Sequence, residues 1–117
     1  MHDPTARPDV GLLAAILDSL PDPVLLADAT HTIRYMNRAA AAHYSEGAAL
    51  LGRSLLDCHN AESNRVIRET LAAMQAGEQE RLISEGEGQR VYMRAVRAPG
   101  GELLGYYERY EKLAART

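Results

Sequence analysis

The hydrophobic pattern of the chain changes at Gly77, from a helical period before this residue to an alternating period after it. Before Gly77, apolar residues recur every three or four positions in 9–20 and in 60–76, which predicts two amphipathic helices. After Gly77, apolar and polar residues alternate in three segments separated by turns that contain glycine, namely 79–84, 89–97 and 102–110. Alternation of this length predicts strands. Strands that follow one another through short turns pair antiparallel, so we expect an antiparallel sheet.

Two shorter strands and a short helix are expected between the amphipathic helices. Pro21 ends the first helix, because proline lacks the backbone N–H that a helix interior needs. The apolar segment 23–28 and the alternating segment 32–37 then predict a hairpin. Asn37 is a suitable N-cap for the alanine-rich segment 38–44, which favours a helix. Helices grouped between strands are typical of the α+β class, with the helices on one face of the sheet.

The size and composition of the chain predict one soluble domain. A length of 117 residues fits a single hydrophobic core. We expect a domain at 21–110, preceded by a flexible leader at 1–8 and the helix at 9–20, with a C-terminal extension at 111–117. The net charge is −3 and the basic residues form no continuous stripe, so no nucleic acid is expected as a partner. No apolar run approaches the ~20 residues that cross a bilayer, so we expect no membrane contact and a cytoplasmic location. Cys58 is the single cysteine of the sequence, so the chain cannot form an internal disulfide.

Four short motifs follow one another along the chain: LPDPV at 20–24 with AD at 27–28, IRYMNRA at 33–39, LGRSLL at 51–56 and GELLG at 101–105. In this order and spacing they resemble a PAS domain, a bacterial sensory module, from about residue 16 to residue 108. A narrower motif, G-R-x4-C-H-x3-S, runs from Gly52 to Ser63. It is similar to the PAS module of uncharacterised prokaryotic proteins that often also carry a hemerythrin-like domain. The chain departs from that module at Asn60 and Ala61, where prolines are usual.

The resemblance implies a five-stranded antiparallel sheet in the order 2-1-5-4-3, with helices enclosing a small pocket on one face. Seven residues are then expected to contact a small-molecule ligand: Tyr107, Met93, Val91, Leu103, Gln89, Arg53 and Met74. The Tyr107 hydroxyl is expected to meet either the ligand or a backbone carbonyl or water. Arg53 is expected either to bind an anionic ligand or to pair with a nearby carboxylate.

The opposite face of the implied sheet carries an apolar and aromatic patch formed by Tyr92, Val96, Leu104, Tyr106 and Tyr110. A contiguous apolar patch of this kind is usually covered. The helix at 9–20 is the candidate cover, either on its own sheet or in a second subunit. We therefore expect a homodimer whose interface contains Leu13, Ile16, Leu17, Leu20, Tyr92 and Tyr106.

Cys58 and His59 are the most reactive neighbouring pair in the chain. Either could ligate haem iron or another metal, and a thiolate beside positive charge would suit a redox sensor. The alternative is structural, with Cys58 as a small buried residue and His59 hydrogen-bonded at the start of the following helix. Haem stays open as a ligand, although the chain has no Phe and no Trp to line a large apolar cavity. Flavin photochemistry is not expected, because Ser54-Leu55-Leu56 stand in place of its Asn-Cys-Arg motif, and no set of metal ligands is complete.

These observations predict a sensory or regulatory domain rather than an enzyme. No nucleophile is accompanied by a base and an oxyanion loop, and no glycine-rich phosphate cradle is present. We expect a small molecule to bind in the pocket and a homodimer to pass the signal to an effector in cis or in trans. Two alternatives are a ligand-free module for dimerisation or protein interaction and a haem-based gas or redox sensor that uses His59 or Cys58.

Overall fold

The first helix begins where its capping residue predicts. In the computed structural model, which describes residues 9–113, α1 spans Val10–Ser19. The Asp9 carboxylate accepts a hydrogen bond from the Gly11 N–H at 2.9 Å and so satisfies one free donor of the first turn. The predicted helix at 9–20 is confirmed. The predicted leader at 1–8 and the last four residues of the predicted C-terminal extension lie outside the described residues.

Two further helices lie between the strands, and each is capped by an asparagine. α2 spans Arg38–His43 after Asn37, and α3 spans Ala61–Gln75 after Asn60. Short 3₁₀ turns at Gly47–Leu50 and Leu55–Cys58 connect them. Gly77 follows α3 with a φ of 116°, the left-handed region in which glycine commonly ends a helix. Between residues 9 and 113, no helix has the length and apolar character needed to cross a membrane.

Five strands form one antiparallel sheet. They are β1 (Leu25–Asp28), β2 (Ile33–Met36), β3 (Glu80–Gly86), β4 (Gln89–Arg97) and β5 (Leu103–Lys112). Their order is β2-β1-β5-β4-β3, so the last strand of the chain is the central one. The predicted α+β class and strand order are confirmed.

The side chains of β4 face as predicted, whereas those of β5 do not. Residues directly opposite each other in an antiparallel ladder share a face. Along β4 and β5 the pairs are Val91 with Tyr110, Met93 with Glu108, and Ala95 with Tyr106. Tyr106 is 1% exposed and belongs to the core, so all six residues lie on the inner, helix-covered face. Tyr107 pairs with Leu26 of β1 on the outer face. The predictions that Tyr107 points inward and that Tyr106 and Tyr110 point outward are therefore wrong.

A bulge in β5 explains this error. Leu103 and Gly105 pair with consecutive residues of β4, so Leu104 is an extra residue in the ladder. Leu103 packs against the core. The extra residue makes Tyr106, rather than Gly105, the next core-facing position. Strict alternation counted from Leu103 therefore assigns the wrong face to the rest of the strand.

One hydrophobic core lies between the helices and the inner sheet face. Its buried members come from β1, β2, β4, β5, α3 and the two 3₁₀ turns: Leu25, Ala27, Ile33, Leu50, Leu55, Ile67, Leu71, Met74, Met93, Ala95 and Tyr106. Met74 and Met93 have no exposed surface at all. Such close packing occupies the centre of the domain and leaves space for a cavity only towards one end of α3.

α1 lies beside α2 and leaves its own apolar side chains exposed. The Asp18 carboxylate accepts a hydrogen bond from the Arg38 N–H at 2.8 Å, which joins the two helices. No residue of α1 is buried, and Leu12 and Ile16 are 59% and 52% exposed. The outer surface of the sheet also exposes Leu104, at 49%. Within one chain, therefore, α1 does not cover the outer face.

Candidate functional site

A cavity of about 480 Å³ lies between α3 and the inner face of the sheet. It is lined by apolar groups from α3 and β4 and by polar groups from β5, α2 and the segment before α3, among them Ile67, Val91, Glu108, Tyr110, His43 and His59. Small-molecule sites usually have volumes of ~300–1,000 Å³. The cavity therefore has the size of a ligand site.

Glu108 is the buried charged group of this cavity. It lies opposite Met93 in the ladder and is 9% exposed. Its one hydrogen bond within residues 9–113 comes from the Tyr110 hydroxyl, which donates to Oε2 at 3.3 Å. Burial raises the pKa of the Glu108 carboxyl, and the charge of His59, the Tyr110 hydrogen bond and the charge of His43 offset this only in part. A buried acid in a cavity with so few partners is a candidate functional group.

Two tyrosines are influenced by the charge of Glu108, and one of them, Tyr110, donates a hydrogen bond to it. Burial raises the pKa of the Tyr110 and Tyr44 hydroxyls, and the negative charge of Glu108 raises both further. The ring of His43 meets Tyr44 edge-on, with centroids 4.9 Å apart, and lies 6.2 Å from the ring of Tyr110. Because their pKa values are raised, the hydroxyls of Tyr44 and Tyr110 stay protonated at neutral pH.

His59 and Cys58 have different surroundings despite being neighbours in sequence. His59 Nδ1 lies 3.0 Å from the Leu55 carbonyl oxygen. Because a carbonyl oxygen only accepts, Nδ1 carries the hydrogen and Nε2 is left for another partner. Cys58 lines a separate surface depression with Tyr44 and Arg53. Desolvation raises the pKa of the Cys58 thiol, and Arg53 offsets this only in part, so the thiol lacks the lowered pKa that suits a redox sensor. Haem ligation by either residue stays a prediction.

Five of the seven predicted ligand residues lie in the cavity wall, in the core or against the core. Gln89 and Val91 line the cavity. Met74 and Met93 are fully buried in the core, and Leu103 packs against that core. The structure therefore brings two of these five to the cavity.

The other two predicted ligand residues lie elsewhere. Tyr107 is on the outer face, opposite Arg94 of β4, because of the bulge in β5. Arg53 forms an ion pair with Glu46, which is the second of the two roles expected for it. Sequence analysis does not identify Glu108 as a site residue. The available signal is the run Tyr106, Glu108, Tyr110, which places an acid between two aromatic residues on one strand face.

Tyr106 has a structural role in the core. Its hydroxyl oxygen lies 2.8 Å from His31 Nδ1. Burial raises the pKa of Tyr106 and lowers the pKa of His31, so the phenol donates to a neutral imidazole. The prediction that Tyr106 belongs to a dimer interface is wrong, because the residue is 1% exposed. Tyr92, by contrast, lies on the outer face with the Arg109 guanidinium 4.3 Å from its ring centroid.

The fold and the cavity together define a class: a small α+β domain whose helices cover one face of an antiparallel sheet and enclose a ligand-sized space. Residues 17–117 match the PAS_4 family, which is described as a PAS fold. The chain belongs to this family of sensory and signalling domains. No curated protein matches the chain at a significant level.

Several solved structures are similar to this chain at low sequence identity. A C-terminal domain from Streptococcus mutans is 17% identical, with a TM-score of 0.75 over 96% of this chain and 90% of that one. The PAS domain of BvgS from Bordetella pertussis is 20% identical, with a TM-score of 0.63 over 92% and 88% of the two chains. A sensory box sensor histidine kinase from Vibrio cholerae is 14% identical, with a TM-score of 0.65 over 90% and 91%. Identities this low support the shared fold alone.

Proposed function

We propose that this chain is a sensory or regulatory PAS domain that binds a small molecule in the cavity between α3 and the inner sheet face. The supporting observation is Glu108, a buried carboxyl in a cavity of about 480 Å³. Its carboxylate receives one long hydrogen bond from the described residues. A buried charged group needs partners to replace lost hydration. In the proposed complex the ligand supplies them, and the role of the domain is binding rather than catalysis.

The proposed output of binding is a change at a homodimer interface. A ligand shifts the balance between two arrangements only as far as it binds one of them better. Apolar side chains of α1 favour a second copy of this chain as partner, since Leu13, Ile16 and Leu20 are 44%, 52% and 40% exposed. Leu104, on the outer sheet face, is a further exposed apolar side chain at 49%. The dimer would then act on an effector in cis or in trans.

Native mass spectrometry of protein incubated with a metabolite extract of its own host tests the cavity. Val91→Phe fills the cavity, whereas Val96→Phe makes the same change on the outer face of β4. We expect a retained small molecule on the wild type and on Val96→Phe, and its loss from Val91→Phe. Retention by Val91→Phe, or no retained molecule on any of the three proteins, would contradict the proposal.

A ligand-free module for dimerisation or protein interaction is the second candidate. The exposed apolar side chains of α1 favour it, because they need a partner whether or not the cavity is filled. Under this alternative, native mass spectrometry gives a wild-type dimer that carries no small molecule.

A haem-based sensor that uses His59 or Cys58 stays a third prediction, for which haem addition must produce a Soret band. Kinship with hemerythrin-associated proteins rests on the motif between Gly52 and Ser63 alone.

A further inference from the structure

The cavity wall contains two carboxyl groups and no strongly basic group among the described residues. Glu108 lies at its inner wall, Glu62 stands at its mouth with a side chain 71% exposed, and no Lys or Arg of residues 9–113 lines it. His59 donates its Nδ1 hydrogen to the Leu55 carbonyl. Glu62 is already paired with Arg65, whereas an anionic ligand group near Glu108 would meet a carboxylate with no Lys or Arg in the cavity wall to balance it. The cavity therefore favours a ligand that donates hydrogen bonds.

The carboxylate of Glu108 has capacity for another partner. Oε2 accepts the hydrogen bond from Tyr110, and Oε1 accepts none from the part of the chain that the structure describes. His43 and His59 act on this carboxyl through space. Desolvation opposes the ionised form of a buried acid, and a cationic partner in direct contact compensates much of that cost. A positively charged ligand group suits this position better than a neutral one.

The remaining walls suit a hydrocarbon body attached to that cation. Ile67 of α3 and Val91 of β4 are aliphatic residues in the wall of the cavity. The ring of Tyr110 adds an aromatic face, which attracts an ammonium group. A volume of about 480 Å³ leaves space for more than the charged group alone.

We propose that the cavity binds an organic amine, whose protonated amino group donates a charge-assisted hydrogen bond to Oε1 of Glu108 and whose hydrocarbon body lies between Ile67 and Val91. This inference rests on the proposed function, since it names a ligand class for the same cavity. An ammonium group donates hydrogen bonds and accepts none, which complements the Glu108 carboxylate. A metal ion fits less well, because no three ligating side chains within residues 9–113 converge on one point.

Three probes with one carbon skeleton test the proposal: 2-phenylethylamine, 2-phenylethanol and phenylacetate. Each is titrated at neutral pH into the 15N-labelled full chain, and amide shifts of Ile67 and Val91 report cavity binding. We expect the amine to bind at least about tenfold more tightly than the alcohol, and phenylacetate not to bind. Glu108→Gln is expected to weaken amine binding by about tenfold or more and to weaken alcohol binding by less. Glu111→Gln is the matched control, since it removes a carboxylate from the outer face of the same strand.

The outcomes separate the ligand class from the existence of a site. Equal binding of amine and alcohol, tighter binding of phenylacetate, or full amine binding by Glu108→Gln would each overturn the amine proposal while leaving the cavity as a ligand site. If none of the three probes shifts the cavity amides, the amine proposal fails, and native mass spectrometry with the metabolite extract decides the proposed function independently. The comparison of amine with alcohol uses the wild type, so it stands even if a variant folds poorly.

Discussion

Replacing Asn37 by alanine is predicted to be among the most destabilising substitutions in this domain. Asn37 has no exposed surface. Its side chain forms four hydrogen bonds: Oδ1 accepts from the N–H groups of Val24 and Ala40, both at 2.9 Å, and Nδ2 donates to the carbonyls of Leu17 and Asp22 at 2.9 and 3.1 Å. One side chain thus joins α1, the segment before β1 and the start of α2.

The magnitude follows from the number of bonds. A neutral hydrogen bond contributes about 1 kcal/mol, and buried partners left without a bond add to the cost of truncation. Four bonds give a loss on the order of 4 kcal/mol for Asn37→Ala, a large part of the ~5–15 kcal/mol that stabilises a domain. Asn37→Asp keeps both acceptor bonds but directs an oxygen at two carbonyls, so its predicted loss is about 2 kcal/mol or more.

Urea denaturation followed by circular dichroism measures these losses as free energies of unfolding. Asn64→Ala is the matched control, because Asn64 donates a single hydrogen bond, to the Leu56 carbonyl at 2.9 Å, and has a buried Oδ1 without a partner among the described residues. Its predicted loss is no more than about 1 kcal/mol. An equal loss for Asn37→Ala and Asn64→Ala would refute the reasoning, because the difference between them comes from the three additional bonds.

Three further predictions concern the sheet, the buried acid and the dimer. Gly105→Ala is expected to destabilise the fold by about 3 kcal/mol or more, since a Cβ there would lie 2.2 Å from the Ala27 carbonyl oxygen. Gly86→Ala is the control, because Gly86 has open space around it, and it is expected to change stability by less than about 1 kcal/mol in the same urea assay. Equal losses for the two variants would contradict this prediction. Because burial raises the pKa of Glu108, the ionised carboxylate destabilises the folded protein at pH values above that raised pKa. At pH values below the ordinary pKa of 4.5 the carboxyl is protonated in both the folded and the unfolded protein, and this effect is absent. Glu108→Gln should therefore be more stable than the wild type at pH 8, with the difference falling as the pH is lowered to 4. A difference that grows on acidification would show the opposite linkage. Ile16→Glu places a charge on the exposed apolar side of α1, so we expect this variant to sediment as a monomer where the wild type sediments as a dimer. A wild type that is monomeric at high micromolar concentration would contradict the dimer proposal.

Local sequence patterns predicted the helices and strands because each signal depends on residues close together in the chain. Asp9, Asn37 and Asn60 cap the helices from the adjoining position, and Gly77 ends α3 in a conformation that glycine adopts readily. The alternation of β4, together with the resemblance to PAS domains, also assigned Val91 correctly to the inner face. These features need no knowledge of tertiary contacts.

The site depends on long-range pairing, which the sequence pattern does not reveal. The bulge at Leu104 reverses the alternation of β5, and it is visible only in the register between β5 and β4. A strand with apolar residues on both faces gives no independent signal of its phase. The inward position of Glu108 therefore became apparent only from the register. Likewise, the pairing of Arg53 with Glu46 depends on how the segment between α2 and α3 folds back.

NMR titration of the Glu108 side-chain carboxyl carbon tests the central claim most directly. In the free protein we predict a titration midpoint above the ordinary value of 4.5, because burial opposes the negative charge more than His59, Tyr110 and His43 favour it. Saturating 2-phenylethylamine is predicted to lower that midpoint, because a bound ammonium group stabilises the carboxylate. A midpoint at or below 4.5 that does not respond to the amine would contradict both the burial of Glu108 and its role in recognising a ligand.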